Sequence, residues 1–181
     1  MKSPLSLLLA VLLTFFFNSC GNTSNPQSAL YSSEGPTSSN SKVEAEIRVA
    51  VNRYRASVGL SSLQAHSGLD ELAADHSRAM TRKLKASHDG LRGRQRSASR
   101  RYGLNGVAEN VHESINLPLT GAQIVESWIN SSGHKRNMEG RFAHQGISVV
   151  QRGDYVYTTL LLGTSSVNAS TLLGPDSGLV F

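Results

Sequence analysis

From residue 41 onward, apolar positions recur with a helical period over three stretches and read as strands over three others. Val43, Ile47, Val51 and Tyr54 fall at helical spacing, Ser41 with Glu44 matches a capping box, and Gly59 closes the segment. Leu69, Leu72, Ala73, His76 and Met80 share one face of a second helix, opened by Ser67 and Asp70. That placement makes His76 a core-edge histidine rather than a ligand. Thr120 and Gln123 form another capping box ahead of Ile124, Val125, Trp128 and Ile129. "GVAENVHES" (106–114) alternates as a strand does, and "QGISVV" (145–150) and "DYVYTTLLL" (154–162) form a predicted hairpin around Gly153. Helix, helix, strand, helix, strand, strand predicts an α/β fold of three layers, with a small, mainly antiparallel sheet between helices.

The segment ahead of this pattern has a different character. Lys2 precedes a 13-residue apolar run, residues 5–17, which is short for a bilayer span and typical of an export signal. Ser19, Cys20 and Gly21 resemble a bacterial lipobox, in which Cys20 would be lipidated and become the mature N-terminus; Phe17 and Asn18 depart from its usual residues. Residues 1–19 are therefore expected to be a signal peptide and 20–41, rich in Ser, Asn, Gly and Pro, a lipid-anchored linker. The domain is assigned to 42–163 and a tail to 164–181. No aspartate follows the cysteine to signal inner-membrane retention, so an outer-membrane or cell-surface site is expected, with secretion as the alternative. Cys20 is the sole cysteine, so no intramolecular disulfide forms and packing must supply stability.

Charge adds one local feature. The net charge is +5, yet residues 82–101 alone carry eight Lys and Arg against Asp89. Read as a long loop, this segment is either a solvated surface or an attractor of anionic lipid or glycan. Aromatic residues are not interleaved with the basic ones, so a nucleic-acid partner is not expected. The domain is expected to act as a monomer.

Candidate chemistry lies in the irregular and edge segments: His88 in the basic stretch, Glu109 on the predicted strand, and His134 after the Ser131-Ser132-Gly133 turn. Two imidazoles and a carboxylate suffice for a zinc-like site with an open position, or for general acid–base work. Spacing alone does not establish that they meet.

The motifs say more. "N-x-x-R" at 52–55, "GL-x-x-L" at 59–63, "SH" at 87–88, "EN" at 109–110, "W-x-x-S-x-G-H-x-x-N" at 128–137 and "G-I-x-V" at 146–149 resemble the CAP domain superfamily. That superfamily includes cysteine-rich secretory proteins, antigen 5 and pathogenesis-related proteins; this chain is most similar to its bacterial, cysteine-poor branch. The resemblance implies an α-β-α sandwich with a cleft lined by two histidines and two glutamates that binds a divalent cation such as zinc. It places His88, Glu109 and His134 in that cleft, with Asn137 beside them, and His88 and His134 as metal ligands. Ser131 stands where the second glutamate would be, and Glu126, about 200° around the helix from Trp128, faces away. Two functions follow as expectations. One is a tethered binding protein for a lipid, sterol, glycan or protein. The other is a metal-assisted hydrolase or peptidase with Glu109 as general base. A third reading treats the polar triad as a network that rigidifies the cleft.

Overall fold

The computed structural model describes residues 38–115 and 120–165. The signal, Cys20, the linker up to residue 37, the Leu117-Pro118 loop and the tail from residue 166 lie outside the described residues.

A four-stranded sheet orders the domain. Strand β1 (Gln64–Ala65) runs parallel to β3 (His144–Arg152), β3 pairs antiparallel with β4 (Tyr155–Ser165), and β4 pairs antiparallel with β2 (Leu104–Ile115). The order is β1-β3-β4-β2, which leaves β2 at an edge. Strand β4 is buried on both faces, and its "LLL" run is read with the two-residue period of a strand. Leu160 and Leu162 join Ile47, Val51, Ile124, Val125 and Trp128 on one side, while Leu161 joins Leu69, Leu72, Ala73 and Ala98 on the other. Two helical layers therefore enclose the sheet, as the sandwich reading requires.

Helix α1 spans Ser38–Ser57. Residues 38–41, assigned from composition to the linker, are thus helical, and Ser41 lies inside the helix instead of capping it. Helix α2 (Ser67–Lys83) lies directly on β3: a Cβ at Gly146 would overlap the Leu69 backbone. The basic stretch is not a loop. It ends α2 at Lys83 and, after seven irregular residues, forms helix α3 (Leu91–Tyr102), bounded by Gly90 and Gly103, both with positive φ. Its inward face is short, with Ala98 buried and Tyr102 packed on the same cluster, so the arginines conceal the helical period. Helix α4 (Gly121–Ile129) carries the predicted Thr120–Gln123 capping box. A short helix α5 (Ser132–Met138) follows; Gly133 sits within it and makes no left-handed turn.

Two of the motif residues hold the chain reversals together. Asn52 exchanges hydrogen bonds with the Leu63 backbone, donating to its carbonyl (3.1 Å) and accepting from its N–H (2.8 Å). Arg55, only 2 % exposed, donates to the carbonyls of Ser61 (2.9 Å), Met138 (2.7 Å) and Gly140 (2.9 Å). One guanidinium thus joins the end of α1 to the end of α5. Replacing Arg55 by Leu leaves these carbonyls unmatched, at about 1–3 kcal/mol for each that water cannot reach. Urea unfolding of Arg55→Leu is expected to show a loss of roughly 3 kcal/mol; a change under about 0.5 kcal/mol, typical of surface substitutions, would contradict this role.

Candidate functional site

The site straddles the edge strand. Side chains of β2 alternate, so Glu109 points to the α2–α3 layer and Asn110 to the α4–α5 layer. The Glu109 carboxylate is fully buried (0 % exposed) and meets Arg94 of α3 in a two-pronged pair, Nε to Oε2 at 2.6 Å and Nη2 to Oε1 at 2.8 Å. Arg94, 11 % exposed, is held from a third side, where Nη1 donates to the Asp89 carbonyl (2.8 Å). His88 Nδ1–H donates to Glu109 Oε1 (2.8 Å), which leaves Nε2 of this half-exposed ring (48 %) as its open nitrogen. His76 approaches the same oxygen, with Nε2 at 3.7 Å from Glu109 Oε1 and donating to the Ser87 carbonyl at 2.7 Å.

On the other face, Asn110 Nδ2 donates to the His134 carbonyl (3.0 Å), and Asn137 Nδ2 donates to the Glu109 carbonyl (3.1 Å) and to Asn110 Oδ1 (2.9 Å). The two asparagines fasten α5 to β2 and bring the His134 ring to 6.2 Å, centroid to centroid, from His88. His88, Glu109, His134 and Asn137 therefore share one locality. Asn137 acts on the backbone of the site. His134 is presented by the first turn of a helix, where a glycine turn was predicted; Ser-Ser-Gly reads as a break because Gly weakens helices, yet here packing against β2 overrides propensity.

Three participants escape the sequence reading. Arg94 was hidden among the exposed cations of its segment, although its spacing of four from Ala98 on the inward face was a usable signal. His76 is buried, as a core-edge residue should be, but its edge nitrogen also faces Glu109. His112, two residues past Asn110 on the same face, has no motif to mark it. Ser127 Oγ–H donates to the Ile124 carbonyl (2.7 Å), so His112 Nδ1–H must donate to Ser127 Oγ (3.0 Å). That fixes the tautomer and leaves His112 Nε2 buried without a hydrogen-bond partner among the described residues.

A family model of the cysteine-rich secretory protein (CAP) family matches residues 49–163, well over half of the chain. The chain belongs to the CAP family. Solved structures agree on the fold. An outer surface protein from Borrelia burgdorferi superposes with TM-score 0.61 at 16% identity, covering 68% of this chain and 93% of its own. A cysteine-rich secretory protein from Staphylococcus aureus gives 0.59 at 22% identity, covering 72% of this chain. An extracellular SCP-domain protein from Bacillus anthracis gives 0.59 at 22% identity, covering 70%. The chain spans about two fifths of the length of the latter two proteins (40% and 41%). No curated protein matches the chain.

Within this CAP domain the donors do not suit a zinc ion as arranged. Both Glu109 oxygens are bound to Arg94, and Ser131 is the N-cap residue of α5 in place of a second carboxylate. Glu126 is exposed on α4. Among the described residues no three His, Cys, Asp or Glu side chains converge as a ligand set, and zinc sites use at least three protein ligands.

Burial instead makes the site sensitive to acid. It holds the imidazoles of His76, His112 and His134 below their ordinary range; His88 lowers His134 further, and His134 lowers His112. Burial, with a contribution from His66, does the same to His144 at the far end of β3. A histidine depressed in the folded state is protonated first in the unfolded chain. Its stabilising contribution is complete above about pH 6.5 and is lost as pH falls toward the folded value. Glu44, raised by burial, works in the opposite sense but at more acidic pH. Unfolding free energy measured in urea is therefore expected to fall between pH 7.5 and 5.5, by up to about 1.4 kcal/mol per pH unit for each such histidine. His112→Gln should flatten the slope; an unchanged slope would remove His112 from the account.

Proposed function

We propose that this CAP domain is an exported, membrane-tethered binding module of a bacterial cell envelope, with its ligand taken at the cleft between His88 and His134. The carrying observation is the state of Glu109. A carboxylate with both oxygens committed to Arg94 is not free to take a proton from water, so the hydrolase alternative lacks its base. What faces outward is the half-exposed His88 ring opposite His134, a pair suited to hydrogen-bond a polar ligand group. Export is supported by the apolar run ending before Cys20, and by relatives that are outer surface, secretory or extracellular proteins.

Helix α3 supports contact with the membrane itself. Arg92, Arg96 and Arg100 fall at i, i+4 and i+8, are exposed, and take part in no ion pair among the described residues. Like charges at this spacing weaken a helix, and no acidic residue occupies its first turn to offset them. An anionic lipid surface would relieve that repulsion. Arg94 is not part of this stripe.

Two measurements test the reading. The full-length protein should fractionate with membranes, and Cys20→Ser should release it or leave it unprocessed; equal retention of both forms without an acyl group by mass spectrometry would remove the anchor. The mature domain should bind vesicles containing phosphatidylglycerol at low salt and release them as the Debye length contracts from about 30 Å to about 8 Å. At about 1 kcal/mol per arginine near such a surface, replacing Arg92, Arg96 and Arg100 with Gln should weaken binding at least tenfold. Binding indifferent to salt and to these substitutions would refute the membrane face.

A further inference from the structure

We propose that Arg94 is a built-in cation standing where a metal ion would act on Glu109, so that this cleft works without a divalent metal. The inference does not rest on the binding reading above. A metal needs carboxylate lone pairs; the guanidinium occupies one on each oxygen, at 2.6 and 2.8 Å, in the planar fork geometry that matches a carboxylate, and His88 Nδ1–H takes a second on Oε1.

The guanidinium is also fixed. The Asp89-Gly90 turn, with Gly90 at φ 76°, starts α3 so that Arg94 lies one turn in, with its N–H bonded to the Gly90 carbonyl (3.1 Å). The Asp89 carbonyl then supplies the guanidinium's third contact at 2.8 Å. A cation held by its own backbone cannot be removed by a chelator. It stays beside the carboxylate when imidazoles protonate, whereas a zinc site would lose its ion.

The geometry also says what holds zinc away. A cavity of about 330 Å³ between α2 and α3 is lined by His76, Met80, Gly93 and Arg94. Arg94 stands between this space and Glu109. Shortening the side chain would open a path to the carboxylate and to His88, 2.8 Å from it. Arg94 is thus a positioning residue acting through Glu109, and its removal should let Glu109 and His88 take up zinc that they refuse in the wild type.

The test is equilibrium dialysis of the mature protein against zinc chloride at pH 7.5, followed by metal analysis. Wild type should retain far less than one equivalent. Arg94→Ala should retain several-fold more than wild type at the same free zinc, and Arg94→Ala with His88→Ala should lose that gain. One equivalent bound by wild type and abolished by His88→Ala overturns the proposal. So does a folded Arg94→Ala, verified by near-ultraviolet circular dichroism, that gains nothing. If the variant does not fold, nitrogen NMR of the wild type decides. The Arg94 Nε–H resonance should persist unchanged in tenfold excess zinc. Its loss, with a matching shift of the His88 ring nitrogens, refutes the assignment.

Discussion

Strand β2 lies at the edge of the sheet, and the carbonyls it turns away from β4 have no further strand to receive them. Unsatisfied backbone groups at a buried edge are costly, and an open edge invites pairing with another chain. The domain answers with side chains. Gln95 of α3 donates to the Val107 carbonyl (2.9 Å), Asn137 of α5 to that of Glu109 (3.1 Å) and Trp128 of α4 to that of Val111 (3.0 Å). Three alternate carbonyls on one strand thus draw three helices to the same line. The site lies where they meet. His134 rides on the helix that caps Glu109, and Arg94 sits one residue before the Gln95 that caps Val107.

A second constraint follows from the first. Because Glu109 belongs to this covered edge, its carboxylate is sealed beneath α3 and must be neutralised where it lies. A buried carboxylate without a partner would cost several kcal/mol, and a fixed pair with its remaining hydrogen bonds made avoids that cost. The Arg94 fork and the His88 N–H supply those bonds. Burial holds the His76 and His134 imidazoles below their ordinary range, which couples the stability of the site to pH in the region where histidines titrate. Fold and site therefore share their parts, and little of the polar network serves only one of them.

Much of the fold was legible beforehand. The aromatic and β-branched run at 154–162, the four-residue steps of Ile47 and Val51, and the capping box at Thr120 are local, and local pattern is what a sequence displays. The order of "SH", "EN" and "GH" likewise pointed to one cleft. The failures were of two kinds. Charge concealed period in α3, where a single buried alanine and a half-buried tyrosine carry the inward face beneath a run of arginines. Identity concealed role at His76, whose apolar helix face argued for the core alone.

By itself the sequence determined the layered α/β class, helices α1, α2 and α4, strands β2, β3 and β4, and the residue types gathered at the cleft, because each follows from periodicity or from short motifs. Only the tertiary structure decided which charges meet. Arg92, Arg94, Arg96, Arg100 and Arg101 are alike in sequence, yet the 100° step of a helix turns Arg94 toward the sheet and leaves Arg92, Arg96 and Arg100 in solvent. The partner of Glu109 lies on another element, and its choice depends on where α3 docks against β2. That docking is set by a backbone carbonyl at the sheet edge, a group every residue carries and no sequence distinguishes.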